Sequence, residues 1–348
     1  MKGSETGRAR LSSERARPFS LPGGGAQARP ALINLMKDRL VIGSRGSKLA
    51  LWQAEWVRSR LTALHPQTDI RVEVIKTGGD IMKEAPLSVI GGRGVFTKEI
   101  EEALLDGRID LAVHSLKDLP TVLPAGLSIA AIPEREDARD ALVLRSGLSI
   151  AHPSIESLAT GAVVGTSSPR RLAQLKHLRR DLVIRELRGN VDTRLRKLDA
   201  GEYDCVILAA AGLRRLGFAE RIDAAIAIEE MLPAVSQGAL GLETRSADSV
   251  VVKMLAPLDH APTRLACTAE RTLLRGLGGG CQLPIAAHAV VSGDRMRLYG
   301  LTSSLSGDTI IRDEMEGAAL DAAQLGEQLA GRLLERGALS LLAGLTSL

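Results

Sequence analysis

From Leu40 onward, short apolar runs alternate with segments of helical period, and that alternation constrains the fold more than any other property of the chain. A strand-like run at 40–43 leads into a helix-periodic stretch at 47–64, with Leu49, Trp52, Trp56, Leu61 and Leu64 on or near one face. A second apolar run follows at 70–76, then a helix at 97–105 and a strand at 109–113, the order of an α/β unit. A second α/β run starts near Ala141, with strands at 162–165, 182–186 and 203–208 separated by helices. The pattern then changes to a helix at 264–277, strand-like pieces at 286–291, 296–302 and 309–313, and a helix at 320–335, which predicts a small α+β domain. A length of 348 residues accommodates two or three domains.

The apolar run at 205–213 is far shorter than the ~20 residues a membrane span needs, so a soluble protein without a membrane partner is expected. Cys205, Cys267 and Cys281 form no CxxC pair, which argues against a disulfide framework or thiolate zinc site and for a reducing compartment. The formal charge of +4 is carried by residues 1–35, where six basic side chains face Glu5 and Glu14. That stretch reads as a disordered extension, with an organelle transit peptide as the alternative. In the neutral body, residues 165–197 hold ten Lys/Arg against Asp181, Glu186 and Asp192, the signature of a site for a small or medium-sized anion. No aromatic residue lies in that stretch, so the stacking platform of a nucleic-acid binder is missing.

The basic residues sit where strands end. Val163-Val164-Gly165-Thr166-Ser167-Ser168-Pro169-Arg170-Arg171 reads as a strand, a hydroxyl-rich turn and a helix start with Ser168 as N-cap and Pro169 in the first turn, a place that favours an anion. The next strand ends at Arg188 and Arg194, and a third leads to Arg214 and Arg215. In open α/β sheets ligands bind at that end, and arginine grips carboxylates with a planar fork. A capped surface helix with solvated arginines is the alternative for the first of these.

Val113-His114-Ser115-Leu116-Lys117-Asp118 places a carboxylate at another strand end, as a solvated ion pair with Lys117 or as a group aimed into a cleft and able to move a proton. His114 reads as a packed histidine, and the six histidines show no metal spacing, so no metal is expected. The glycine-rich passage at 77–94 is long for a compact connection. Gly278-Gly279-Gly280-Cys281 offers a cysteine on an adaptable loop just after a helix: a nucleophile, an attachment point, or an accident of a loose linker.

Taken in order, these segments resemble the porphobilinogen deaminase (hydroxymethylbilane synthase) family, from about Arg39 to the C-terminus. The blocks that carry the resemblance are SRGSKLALWQAEWV (44–57), GGRGVFTKEIE (91–101), DLAVHSLKDLP (110–120), VVGTSSPRR (163–171), LRGNVDTRLRKL (187–198), LPAVSQGALGLE (232–243) and GGGCQLPIAA (278–287). The resemblance implies a transferase of tetrapyrrole (haem) biosynthesis that joins four porphobilinogen molecules head to tail, releases ammonia at each addition, and frees hydroxymethylbilane by hydrolysis. It implies that Cys281 holds a dipyrromethane cofactor through a thioether and that Asp118 is the catalytic carboxylate. Arg45, Ser47, Lys117, Asp118, Ser168, Arg170, Arg171 and Arg188 match cofactor-binding positions. Arg45, Arg188, Arg194, Arg215, Phe96 and Arg93 match substrate-binding ones. Ser236 replaces a glycine common before Gln237, and Gly78 and Val89 stand where some members have basic residues.

The implied fold is two periplasmic-binding-protein-like α/β lobes with mixed sheets, one over 38–136 and 236–256 and the other over 140–232. A C-terminal α+β domain over 261–348 carries the cofactor cysteine. A monomeric cytoplasmic enzyme is expected, organellar if residues 1–35 are a transit peptide. A solute-binding module that closes over a carboxylate accounts for the arginines equally well, but it needs neither Asp118 nor Cys281.

Overall fold

The computed structural model of the chain describes residues 37–78, 97–280 and 282–343. The extension at 1–35, Arg93, Phe96, Val89 and Cys281 lie outside these described residues.

The first sheet begins with β1 (Arg39–Ser44), whose alternate residues serve two opposite cores. Leu40 and Ile42 pack with Ala54, Val57 and Leu61 of α1 (Lys48–Leu64). Val41, from the other face, packs with Ile100 and Leu104 of α2 (Lys98–Leu105). A strand covered on both faces is apolar throughout, as residues 40–42 of β1 are. Four more strands complete the sheet: β2 (Asp69–Val74), β3 (Leu111–Ser115), β4 (Leu127–Ala131) and β10 (Leu240–Arg245). The order is β2-β1-β3-β10-β4, with β1 parallel to β2 and β3, and β10 antiparallel to both of its neighbours. α6 (Ser249–Leu255) joins α1 on its face.

The α1 face differs from expectation. Gln53, Ala54, Val57 and Leu61 are the buried residues, while Trp52 is 38% and Leu64 44% exposed. Ala54 and Val57 let the helix lie close on the sheet, and Trp56 packs at the edge of the core with Arg60 stacked on its ring.

The second sheet repeats the first. It contains β5 (Asp140–Leu144), β6 (Val163–Gly165), β7 (Val183–Arg185), β8 (Cys205–Ala209) and the short β9 (Ala224–Ala225). Their order is β7-β6-β8-β5-β9, again with one antiparallel strand, β5, between the third and the last. α3 (Pro169–Leu178) covers one face, and α4 (Val191–Asp199) and α5 (Ala210–Arg215) the other. The apolar run at 205–213 is β8 passing directly into α5.

Each lobe's antiparallel strand thus enters along a crossing from the other lobe: 132–139 into β5 and 226–239 into β10. Both lobes are therefore mixed five-stranded sheets joined by two crossings. The crossings touch each other. Glu136 N donates to Gly238 O at 3.3 Å, and Gly238, at φ +88°, has no room for a side chain because a Cβ there would lie 2.3 Å from Glu136 O.

The C-terminal domain is an antiparallel sheet of β11 (Ile285–Ser292), β12 (Arg295–Ser303) and β13 (Ile310–Ala318). α7 (Ala261–Gly276), α8 (Ala322–Glu335) and the terminal α9 (Ala338–Ala343) pack with it around Leu273, Leu298, Leu329 and Leu333. Among the described residues no helix is long and apolar enough to cross a membrane.

Candidate active site

The carboxyl ends of the parallel strands from both lobes carry the candidate residues. After β1 comes Arg45, then Ser47, whose Oγ accepts from Ala50 N at 3.2 Å and caps α1. After β3 the chain makes a single 3-10 turn, Leu116–Asp118. Leu116 and Leu119 are buried on either side of it against Ile132, Ala239 and Cys267, and Leu116 N donates to Ala239 O at 3.0 Å. The turn is therefore anchored while the Asp118 side chain stays exposed. Arg45, Ser47, Gln53, Ser115 and Asp118 line one pocket. Buried Gln53 supports its wall, donating from Nε2 to Ser115 Oγ at 2.9 Å. His114 is packed as expected, with Nε2 3.0 Å from Glu243 Oε2, both side chains buried.

On the second lobe, Ser168 caps α3, its Oγ accepting from Arg171 N, and Pro169 occupies the first turn as the sequence predicts. The two arginines that follow do not reach outward. Both are buried and close on Asp140, the first residue of β5. Arg170 donates from Nη1 to Oδ2 at 2.6 Å and from Nη2 to Oδ1 at 3.2 Å. Arg171 donates to Oδ1 from Nε at 3.0 Å and from Nη2 at 2.7 Å. Gln237 Nε2 adds a bond to the same oxygen at 2.9 Å. Burial alone would push the Asp140 carboxyl up, but the charges of Arg170 and Arg171 hold it well below the usual carboxylate range. Neither a solvated helix start nor a pair of outward-facing forks describes this pair. It is a buried knot where the two lobes join, one carboxylate shared by two guanidiniums, and only Arg170 Nε in it is buried without a partner among the described residues.

Lys117 borders the knot, its Nζ donating to Gln237 Oε1 at 3.3 Å. Burial is the main reason its ammonium drops to about 8, and Arg171 and Arg170 add to the effect while Asp118 and Asp140 oppose it. Arg194 is lowered to about 10 by burial and by the charge of Arg171, with Asp118 opposing, so this second-lobe cation and the first-lobe carboxylate share a field across the cleft. Arg194 Nε also donates to Gly189 O at 2.7 Å, which holds the side chain against its own helix start.

The remaining candidate arginines of the second lobe have acceptors of their own. Arg188 pairs with Glu186 at 2.6 Å on its own strand end. Arg215 is buried and donates to Gly238 O at 2.6 Å, so it braces the crossing between lobes, and burial lowers it to about 10 against the pull of Glu136. Arg214 pairs with Glu136 at 3.3 Å and Asp137 at 3.1 Å. The lobes also meet at the first turn of α1, where Lys48 Nζ is 2.9 Å from an Asp192 oxygen.

Sequence reasoning missed Asp140, Gln237, Gln53 and Glu270. The signal for Asp140 was an acid opening an otherwise apolar strand, which demands a counter-charge. Glu270, fully buried on α7, takes Arg135 Nη1 at 2.6 Å, Ser236 N at 2.6 Å and Ala289 N at 2.8 Å, tying the crossings to the C-terminal domain. Ser236 is the described non-glycine residue with positive φ, 59°, which is the physical reason a glycine suits that position. Gly278, at φ +66°, turns the chain out of α7 toward residue 281. Among the described residues no group of three or more His, Cys, Asp or Glu is placed to hold a metal ion.

Comparisons with known proteins cover nearly the whole chain. The profile described as "Porphobilinogen deaminase, dipyromethane cofactor binding domain" matches residues 40–253, and "Porphobilinogen deaminase, C-terminal domain" matches 264–335. The porphobilinogen deaminase of Syntrophotalea carbinolica is 51% identical over 311 residues, 89% of this chain and 97% of its own. That of Roseiflexus castenholzii is 50% identical over 309 residues, 89% of this chain and 100% of its own. A solved structure, the VFT2 domain of Bordetella pertussis BvgS, aligns with a TM-score of 0.37 and 15% identity over 62% of this chain and 84% of that one. The aligned relatives span both lobes and the C-terminal domain, and with them this chain belongs to the porphobilinogen deaminase family.

Proposed function

We propose that this chain condenses four porphobilinogen molecules head to tail into hydroxymethylbilane, with Asp118 as the catalytic carboxylate and Cys281 as the thioether anchor of a dipyrromethane cofactor. The observation that carries the reading is the placement of Asp118: an exposed carboxylate on a buried turn, in a pocket with Arg45 and Ser47, facing the charge of Arg194 from the opposite lobe. The donor set fits a ligand bearing carboxylates and pyrrole N–H groups. Lys117, Arg45, Arg194 and the capped helix start at Ser47 suit the carboxylates, and Asp118 suits the N–H groups.

When bound, the cofactor supplies a tethered pyrrole end, so that each addition becomes an effectively intramolecular encounter. The protein's part is electrostatic. As the C–N bond of an incoming unit breaks and ammonia leaves, positive charge develops on that unit, and the Asp118 carboxylate is placed to stabilise it. Formation of the new C–C bond then frees a proton from a pyrrole carbon, which the same carboxylate can accept. Arg45, Ser47, Lys117 and Arg194 orient the acidic side chains of the substrate. Arg188 and Ser168 extend that surface, and Arg215, Arg170 and Arg171 support it through the lobe junction. Arg93 and Phe96, outside the described residues, are assigned to substrate by their match to the family motif.

We read the enzyme as a cytoplasmic monomer. The described thiols, Cys205 and Cys267, are free and buried, and burial pushes them up to about 12 and about 11, as suits a reducing compartment.

Intact-mass measurement tests the reading. Wild type should exceed its sequence mass by two linked porphobilinogen units, and Cys281→Ser should not. Asp118→Ala should keep the added mass and lose elongation. Full turnover by Cys281→Ser would remove the anchor assignment, and normal product formation by Asp118→Ala the catalytic one.

A further inference from the structure

The helix that leads to residue 281 also reaches across to the turn that carries Asp118. α7 presents two arginines to the first lobe, Arg264 and Arg271, seven residues apart and so on one face. Arg264 donates from Nη2 to Ala130 O at 2.8 Å and from Nη1 to Ile129 O at 3.4 Å, gripping β4. Arg271 donates from Nη1 to Leu119 O at 3.0 Å and to Leu116 O at 3.4 Å, and from Nη2 to Pro120 O at 2.6 Å. Those three carbonyls bracket Lys117 and Asp118.

A single 3-10 turn has little stiffness of its own. Here its internal bond is Leu119 N to Leu116 O at 3.2 Å, and the carbonyls at its exit have no helical partner. One guanidinium from the C-terminal domain satisfies them with the planar spread of donors that lysine lacks.

We infer that Arg271 is a positioning residue for the condensation: clamped on the carbonyls of Leu116, Leu119 and Pro120, it fixes the aim of the Asp118 carboxylate and holds it in register with the helix that carries the cofactor segment. The inference rests on the reading of Asp118 as the catalytic carboxylate. It gives the C-terminal domain a second task beside bearing the cysteine.

The test compares holoenzymes of wild type, Arg271→Met, Arg271→Lys, Arg264→Met and Asp118→Ala by kcat and KM for porphobilinogen, thermal midpoint and intact mass. Arg271→Met should keep the cofactor mass and a KM within about threefold of wild type, while kcat falls roughly ten- to a hundred-fold, the scale of a misplacement of about 1 Å. Arg264→Met removes a comparable grip from the same helix and should lower the midpoint similarly with kcat near wild type. Arg271→Lys keeps the charge and can reach a single carbonyl, so its kcat should fall between, and it serves if the methionine variant does not fold. Equal kcat for the Arg271→Met and Arg264→Met enzymes beside an inactive Asp118→Ala would overturn the clamp alone. Loss of cofactor mass in Arg271→Met would assign the arginine to attachment and overturn it too. Near-normal kcat in Asp118→Ala would remove both the carboxylate and its clamp from the chemistry.

Discussion

Asp140→Asn is the substitution whose cost the structure fixes most directly. The Asp140 carboxylate is the shared counter-ion of two buried guanidiniums, bound through four side-chain hydrogen bonds. Asparagine keeps one acceptor oxygen and no charge, so Arg170 and Arg171 would be left facing each other without a counter-ion. Removing one partner from a buried ion pair costs about 3–5 kcal/mol, and here the loss falls on two cations, which argues for the upper part of that range. For a chain of this size that corresponds to a drop in Tm on the order of 5–10 °C.

The pH dependence supplies an independent check. Asp140 is depressed in the folded state, so its contribution is fully present above the unfolded value of about 3.8 and is lost as pH falls from there toward the folded value. Urea unfolding of both proteins from pH 7 down to pH 3 should show a gap that is constant at the upper end and narrows below about pH 4. A variant within 1 kcal/mol of wild type at pH 7, or a gap that does not narrow in acid, would refute the assignment of Asp140 as the counter-ion of the lobe junction.

Three further outcomes are expected. Ser236→Gly should stabilise the protein by roughly 0.5–1 kcal/mol, because it relieves a left-handed backbone at φ 59° at the expense of unfolded-chain entropy; a less stable variant in urea melts would show that the serine hydroxyl earns its place. Lys117 is lowered to about 8, so KM for porphobilinogen should rise as pH increases through and above that value, while Lys117→Arg keeps its charge and flattens the profile; a wild-type KM constant from pH 7 to 9.5 would contradict this. The same depression means that folding sheds a proton between about 8 and 10.5, so wild-type stability should gain relative to Lys117→Met as pH rises across that window, and parallel curves would argue against it.

Much of the site was legible because its signals are local. Ser47 and Ser168 announce helix starts by type and spacing, Asp118 ends an apolar run, and each occupies its expected local element. What was not legible depends on residues distant in sequence. Arg170 and Arg171 read as free forks because their partner lies thirty positions upstream in another strand, and a buried guanidinium has the same one-letter signature as a solvated one. Arg215 was expected at a strand end, but it closes α5, and its donor is taken by a crossing that only the topology brings near. On α1 Leu61 and Trp56 of the expected face do pack on the core, while Trp52 and Leu64 are left exposed and Gln53, Ala54 and Val57 are buried instead. The insertion of β10 between β3 and β4 has no local signal at all, since strand partnership is set by the whole sheet.

That insertion governs the order in which the molecule can be assembled. The second lobe is contiguous from β5 to β9 and can complete its sheet as soon as it leaves the ribosome. The first cannot: after β4 is made, its sheet must wait for roughly 110 residues until β10 emerges, about 5–20 s at typical synthesis rates. Through that interval β3 and β4 present unpaired edges, the kind of surface that invites wrong partners in a crowded cell. Residue 281 is made after β10, so the nascent chain can close the sheet behind the Asp118 turn before the cysteine has been translated. The pocket's floor is thus laid down ahead of its anchor, and early arrest of synthesis would leave a sheet without the strand that joins β3 to β4.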